Sequence, residues 1–123
     1  QPLRVHGDGP QSRDFTYVST VVEVITDALR RRVDHLEPVN LAFGTNVSLL
    51  EVIGHLEGIL GRPLYREHLP SRVGDVSRSQ ADSSTLLGLF PDVRPTPLVE
   101  GLEATVRWFE TARPWQRLSP GTG

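Results

Sequence analysis

Cysteine and methionine are absent from the 123 residues, and all 13 basic residues are arginine, so lysine is absent too. Without cysteine there are no disulfides, no thiolate nucleophiles and no cysteine-type zinc sites, and the redox compartment cannot be read from the chain. Without lysine there is no P-loop, no Schiff base and no Tyr-x-x-x-Lys proton relay. No apolar stretch approaches the ~20 residues that a membrane span needs. No apolar segment follows Gln1-Pro2-Leu3-Arg4 as it would in a signal peptide. A chain that starts at Gln1 without a methionine is expected to be a processed or excised piece of something longer. Charge of one sign is missing as well: 13 basic against 15 acidic residues leaves −2. That balance argues against nucleic-acid binding, which needs a clustered basic face. The one basic run, Arg30-Arg31-Arg32, falls at an expected helix C-terminus and complements the helix dipole there. Lysine-free, arginine-only composition fits either GC-rich coding bias or design.

The length suits one domain with a single core. A hydrophobic content of 37% is low but lies above the disordered range at this charge balance. Residues 1–118 are read as one region and 119–123 as a flexible polar tail.

Short strand patterns alternate with helical ones. Leu3-Arg4-Val5-His6 alternates apolar and polar, and Gly7-Asp8-Gly9-Pro10 is a turn signal. Phe15-Thr16-Tyr17-Val18 predicts a brief strand. Thr20 with Glu23 predicts a capping box for a helix whose Val21, Val22, Ile25, Ala28 and Leu29 share a face. Residues Pro38 to Phe43 predict a strand closed by Gly44. Ser48 and Glu51 form a second capping box. Leu49, Leu50, Ile53, Leu56, Ile59 and Leu60 then repeat at helical spacing, up to a Gly61 cap, and that stripe is read as core. Leu64 to Leu69 predicts a strand. Ser83 or Ser84 is expected to cap a short helix with Leu86, Leu87 and Leu89 that ends before Pro91. Thr96 as cap and Pro97 as first helical residue are expected to start the last helix, which stops before Pro114. The sum is mixed α/β, with about four helices and several short strands, too few for a doubly wound domain.

Three loops carry arginine or glycine signals: Gly7 to Val18, Leu41 to Asn46, and Arg72 to Asp82. Each alone has an ordinary explanation. Arg13-Asp14 reads as a surface ion pair of little worth, and Gly74-Asp75 as a turn with an Asx bond.

Together they are more specific. Gly7-Asp8-Gly9, then Gln11-Ser12-Arg13-Asp14-Phe15-Thr16-Tyr17-Val18, then Asn40 to Gly44 before a Ser-Leu helix, then Arg72-Val73-Gly74-Asp75 followed by Ala81-Asp82, and finally Leu98-Val99-Glu100-Gly101-Leu102-Glu103-Ala104-Thr105-Val106-Arg107-Trp108-Phe109, stand in one order. This succession resembles the C-terminal substrate-binding region of the NAD-dependent epimerase/dehydratase family, the extended short-chain dehydrogenases that act on nucleotide-sugars. The resemblance runs from Pro2 to about Phe109.

It implies a small substrate-binding subdomain that lacks the Rossmann half. It also implies that Arg13 and Arg72 grip the pyrophosphate of a UDP- or dTDP-sugar. Guanidinium groups suit that task, since they match phosphate oxygens with paired hydrogen bonds and stay charged. By the same resemblance Asp75 accepts from ribose hydroxyls, and Arg4, Val5 and His6 line the nucleobase, largely with backbone. Ser79 faces the sugar, where a small residue leaves room for a substituent such as an N-acetyl group.

The chain departs from the family pattern in three places. Ser19-Thr20 replaces an acidic residue after Tyr-Val. Ala42-Phe43 is bulkier than the usual glycine and small residue. The glycine-rich cofactor turn and the Tyr-x-x-x-Lys pair are missing, so no catalytic residue is assigned and NAD is expected on a half outside this chain. Tyr17, Tyr65, Trp108 and Trp115 are expected to pack. His6, His35, His55 and His68 lack metal-ligand spacing, so no metal is expected. No nucleophile-elbow Gly-x-Ser-x-Gly is present.

The function expected from the resemblance is the substrate-binding half of an NAD-dependent nucleotide-sugar epimerase, dehydratase or decarboxylase, inactive by itself and cytoplasmic. Its partners would be the missing Rossmann half or a second copy, with neither nucleic acid nor membrane among them. The alternative is a non-catalytic, self-associating module that reuses the half-fold. A proteolytic remnant of an enzyme is a third possibility.

Overall fold

A computed structural model describes residues 2–71, 74 and 81–114. The elements in chain order are β1 (Leu3–His6), β2 (Ser12–Arg13), α1 (Val18–Arg31), β3 (Val47–Ser48), α2 (Leu49–Leu60), β4 (Arg66–Leu69), α3 (Ser84–Leu89) and α4 (Leu98–Ala112). The mixed α/β class with four helices and few short strands is as expected. Strands β1 and β4 pair in parallel, Leu3 opposite Arg66 through His6 opposite Leu69. Strands β2 and β3 pair antiparallel, Ser12 opposite Ser48 and Arg13 opposite Val47.

The core gathers Val24 of α1 with Leu86 of α3 and Phe90 just beyond it. Ala28, Val33, Val39, Leu41, Phe43, Leu89 and Val93 pack around them. Val5, Val52 and Ile53 are buried where β1 and α2 contribute. The caps of α2 are as read: Ser48 Oγ accepts from Glu51 N, the Glu51 carboxylate accepts from Ser48 N, and Gly61 closes the helix at φ 63°. Of the stripe expected to be core only Ile53 is buried; Leu49, Leu50, Leu56, Ile59 and Leu60 are half-buried, and Val52, off the stripe, is buried instead.

Several local expectations are overturned. Phe15 to Val18 is no strand. The ladder residues are Ser12 and Arg13, and α1 already begins at Val18. Thr20 therefore lies inside the first helical turn and cannot cap it; α1 has Tyr17 at its N-cap with no side-chain cap bond. Thr20 is instead fully buried, its hydroxyl 3.1 Å from Thr96 Oγ1 and accepting from Thr96 N at 3.0 Å. Because Thr96 is used in this way, α4 starts one residue later than expected, with Pro97 at its N-cap. Ser83 stands at the N-cap of α3 as expected, but its hydroxyl makes no cap bond; the Asp82 carboxylate accepts from Ser84 N at 2.9 Å instead.

Residues 38–43 form no strand. Val39, Leu41 and Phe43 lean on the core, but a strand is defined by its ladder, and no described strand lies beside this segment. Tyr17 packs as expected, its ring against Gly101. Tyr65, at 84% exposed, does not pack, and Trp108 stays half in solvent, edge-on to Phe109. Trp115 lies outside the described residues.

Helix α1 turns Thr20, Val24 and Ala28 inward. The face expected to seek the core is only partly used: Val18, Val22, Ile25 and Leu29 are exposed, Leu29 by 75%. Their i, i+4, i+7, i+11 spacing makes one continuous apolar stripe on the far side of the helix. The Arg30-Arg31 end behaves as read. Arg31 bonds Asp27 and the Leu89 carbonyl and lies over the Phe90 ring.

Candidate functional site

The site is built from two loops that leave β1 and β4 side by side. β1 ends at His6, and Gly7 turns the chain at φ 69°, where a side chain would be strained. A Cβ on Gly7 would also stand 2.8 Å from Ser71 Oγ, so the two departing loops run in contact. Gly9 permits a second close approach, since a Cβ there would meet the Leu50 side chain at 2.8 Å. The loop returns to β1 through Gln11, whose Nε2 donates to the His6 carbonyl at 3.2 Å. Leu49 N donates to the Gln11 carbonyl at 3.0 Å, which ties the loop to the start of α2.

Leu3 N and Gly7 N donate to Tyr65 O and Leu69 O across to β4. Main-chain groups alternate along a strand, so those of Arg4 and His6 face the opposite edge of β1. The Val5 side chain is buried and offers no surface to a ligand. The Arg4 side chain is drawn aside to Glu67, 3.7 Å away and well exposed. Two histidines are crossed over the strand ends: His6 Nδ1 lies 3.2 Å from the Pro70 carbonyl, and His68 Nδ1 lies 2.9 Å from the Gly7 carbonyl. The sequence showed no metal spacing in them and also no sign that they would meet. The parallel register supplied that.

Arg13 is half-buried on β2, and its Nη1 donates to the Ser12 carbonyl at 2.8 Å. Its neighbour Asp14 does not fit the surface-pair reading. The Asp14 carboxylate accepts from Phe43 N at 3.0 Å, from Gly44 N at 2.8 Å and from the Thr45 hydroxyl. Two successive backbone N–H groups converging on one anion make a small nest, allowed here by the left-handed turn at Gly44. Nothing local in the sequence marks that contact, which spans about thirty residues.

Arg4, Val5, His6 and Arg13 are thus gathered around one loop. Arg72, Asp75 and Ser79 lie outside the described residues. Gly74 between them has φ 84°, the geometry of a turn. A cleft of about 410 Å³ between α1 and the segment after α3 is lined by Glu23, Asp27, Arg31, Phe90 and Arg94, among others, and by none of the expected site residues. Among the described residues no group of three or more His, Asp or Glu side chains is placed to hold a metal. None of the described helices is long and apolar enough to cross a membrane. Gly7-Asp8-Gly9 follows a strand, as a dinucleotide-binding turn does, but leads into β2 rather than a helix N-terminus. That turn is therefore not of the dinucleotide-binding kind.

No family model matches the chain. It is 34% identical over 112 residues to the UDP-glucuronate 4-epimerase of Thermodesulfobacterium geofontis, covering 88% of this chain and 33% of that protein. The structure superposes with a TM-score of 0.81 on a crystal structure of UDP-glucuronic acid 4-epimerase from Bacillus cereus in complex with UDP-glucuronic acid and NAD. The two are 32% identical, and the match covers 91% of this chain and 36% of that one. MoeE5 in complex with UDP-glucose and NAD matches with a TM-score of 0.81 at 29% identity, over 92% of this chain and 38% of that one. The chain is homologous to part of the NAD-dependent epimerase/dehydratase enzymes, as the motif order implied. It spans about a third of the length of the curated relatives it matches.

Proposed function

We propose that this chain is the nucleoside-diphosphate-sugar-binding portion of an NAD-dependent nucleotide-sugar epimerase or dehydratase, and that it has no turnover by itself. The observation that carries the proposal is the placement of Arg13. It sits half-buried on a strand, one short loop from the outer edge of β1, in a chain whose structural neighbours hold UDP-sugars and NAD. In this reading Arg13 and Arg72 bind the diphosphate by paired hydrogen bonds. The main-chain groups of Arg4 and the N–H of His6, whose carbonyl Gln11 holds, meet the base at the edge of β1, and Val5 contributes only by holding that strand in place. Asp75 accepts from the ribose and Ser79 faces the sugar. Fixing the diphosphate far from the reacting carbon orients the sugar for chemistry carried by residues and NAD outside this chain. The exposed stripe of α1 is then the surface that meets the cofactor half.

Calorimetric titration with UDP and dTDP tests the site. Binding is expected, and Arg13→Ala or Arg72→Ala is expected to weaken it by about 1.5–3 kcal/mol, the worth of a charged hydrogen bond. Turnover of a UDP-sugar by the pure chain would refute the claim of inactivity.

The same stripe, Val18 to Leu29, favours one second reading: a self-associating module without nucleotide affinity. A stable dimer on a sizing column, together with no binding of UDP or dTDP, would select it.

A further inference from the structure

We propose that Asp14 is a positioning residue for Arg13: by binding the 43–45 turn it holds the two-residue β2–β3 ladder from which Arg13 reaches the diphosphate. The proposal rests on the reading of Arg13 given above. A ladder of Ser12 opposite Ser48 and Arg13 opposite Val47 is too short to persist on its own. Asp14 follows directly on β2, and the turn that it holds ends two residues before Val47. The carboxylate therefore closes a ring: Arg13 to Val47 through the ladder, and Asp14 to Phe43, Gly44 and Thr45 through three hydrogen bonds. Charged acceptors make the stronger hydrogen bonds, and the two from Phe43 N and Gly44 N are half-buried, while the Thr45 bond lies at the surface. With the ring closed, the Arg13 backbone has one position, and its guanidinium starts from a fixed root. With the ring open, β2 stays tied at its Gln11 end by Leu49 N, but its Arg13 end is held by the short ladder alone, and the guanidinium must be ordered again on each binding event.

The test is a double-mutant cycle in the intact protein, read by the dissociation constants of UDP and of uridine. Arg13→Ala is expected to weaken UDP by more than about tenfold and uridine less than about twofold, since only UDP carries the diphosphate. Asp14→Ala is expected to show the same selective loss, but to add less than about twofold in the Arg13→Ala background, the sign of two residues acting as one. Asp14→Asn keeps one oxygen for the two N–H groups and should recover most of the affinity. If Arg13→Ala weakens UDP and Asp14→Ala does not, the positioning role is wrong and the diphosphate reading stands. If Asp14→Ala weakens UDP and uridine alike, or adds in full to Arg13→Ala, Asp14 only supports the fold and the proposal fails. If the parent protein does not bind UDP, or Arg13→Ala leaves UDP binding unchanged, the diphosphate reading fails and this proposal with it. Should Asp14→Ala not fold, Thr45→Val removes one of the three bonds and takes its place in the cycle. Full additivity there overturns the proposal in the same way.

Discussion

The ring of Tyr17 lies across Gly101: a Cβ at that glycine would stand 3.0 Å from Tyr17 Cδ2, 3.1 Å from Cγ and 3.3 Å from Cβ. Three contacts that reach back to the Tyr17 Cβ leave the ring no swing to escape. The N-terminus of α1 and the second turn of α4 therefore meet through a side chain that is missing. Gly101→Ala gains about 1 kcal/mol of helix propensity but forces overpacking that costs about 1–3 kcal/mol. The expected result is a net loss of up to about 2 kcal/mol in denaturant unfolding. Gly54→Ala in α2 is the control. Nothing lies within 4 Å of its added Cβ, so stability should rise by about 0.5–1 kcal/mol.

Thr20 and Thr96 make a second tie, between α1 and the residue just before the α4 N-cap. Thr20→Val keeps the shape but strips the acceptor from Thr96 N, at a site that is fully buried. A loss of about 1–3 kcal/mol is expected. Thr20→Ser should keep the bonds and recover most of that loss. Equal stability of the valine and parent proteins would contradict this role for the hydroxyl.

Leu86 is 1% exposed at the centre of the core. Leu86→Ala is expected to cost about 2–5 kcal/mol, depending on how far Val24 and Phe90 close the space. A shift in the denaturant midpoint with an unchanged slope would register it as a loss of stability alone.

Acid should loosen the α2 end of the molecule first. Ser48 N and the Ser48 hydroxyl hold the Glu51 carboxyl below its ordinary 4.5, and Leu64 N with Arg66 does the same for Glu57. In both groups the folded pKa lies below the unfolded one. Their contribution to stability is therefore complete above pH 4.5 and is lost as the pH falls through the folded values. Stability measured from pH 6 downward should stay level and then decline below about 4.5. In Glu51→Gln and Glu57→Gln variants the decline should be shallower. A parent profile that is flat to pH 3 would contradict the assignment.

Much of the fold was legible because its signals are local. The Ser48-Glu51 box, the Gly61 cap and the 3.6-residue stripe of α2 each depend on residues within one or two turns, so neighbours in sequence decide them. The turn at Gly7-Asp8-Gly9 and the strand before it are of the same kind. The motif order that pointed to a nucleotide-sugar enzyme was equally a property of the chain alone. Its composition, without lysine or cysteine, already excluded the Tyr-Lys proton relay and thiol chemistry from these residues.

The rest needed partners far away in sequence. Thr20 and Glu23 are spaced as a capping box, yet Thr20 lies inside α1 and serves Thr96, just ahead of α4, because its buried hydroxyl needs a partner there. Residues 38–43 have the composition of a strand and make none, because a strand exists only beside another, and composition cannot supply the neighbour. The sequence separated one apolar face of α1 from its polar face, but only packing decided that Val24 is covered while Val22, Ile25 and Leu29 are not. Arg13 was recognisable from its motif. That Asp14 beside it grips a turn thirty residues on, and that His6 and His68 cross over the ends of β1 and β4, followed only from the chain folding back on itself. Local bonding decides which segments coil. Long-range burial and hydrogen-bond demand decide which of their side chains come to stand at one site.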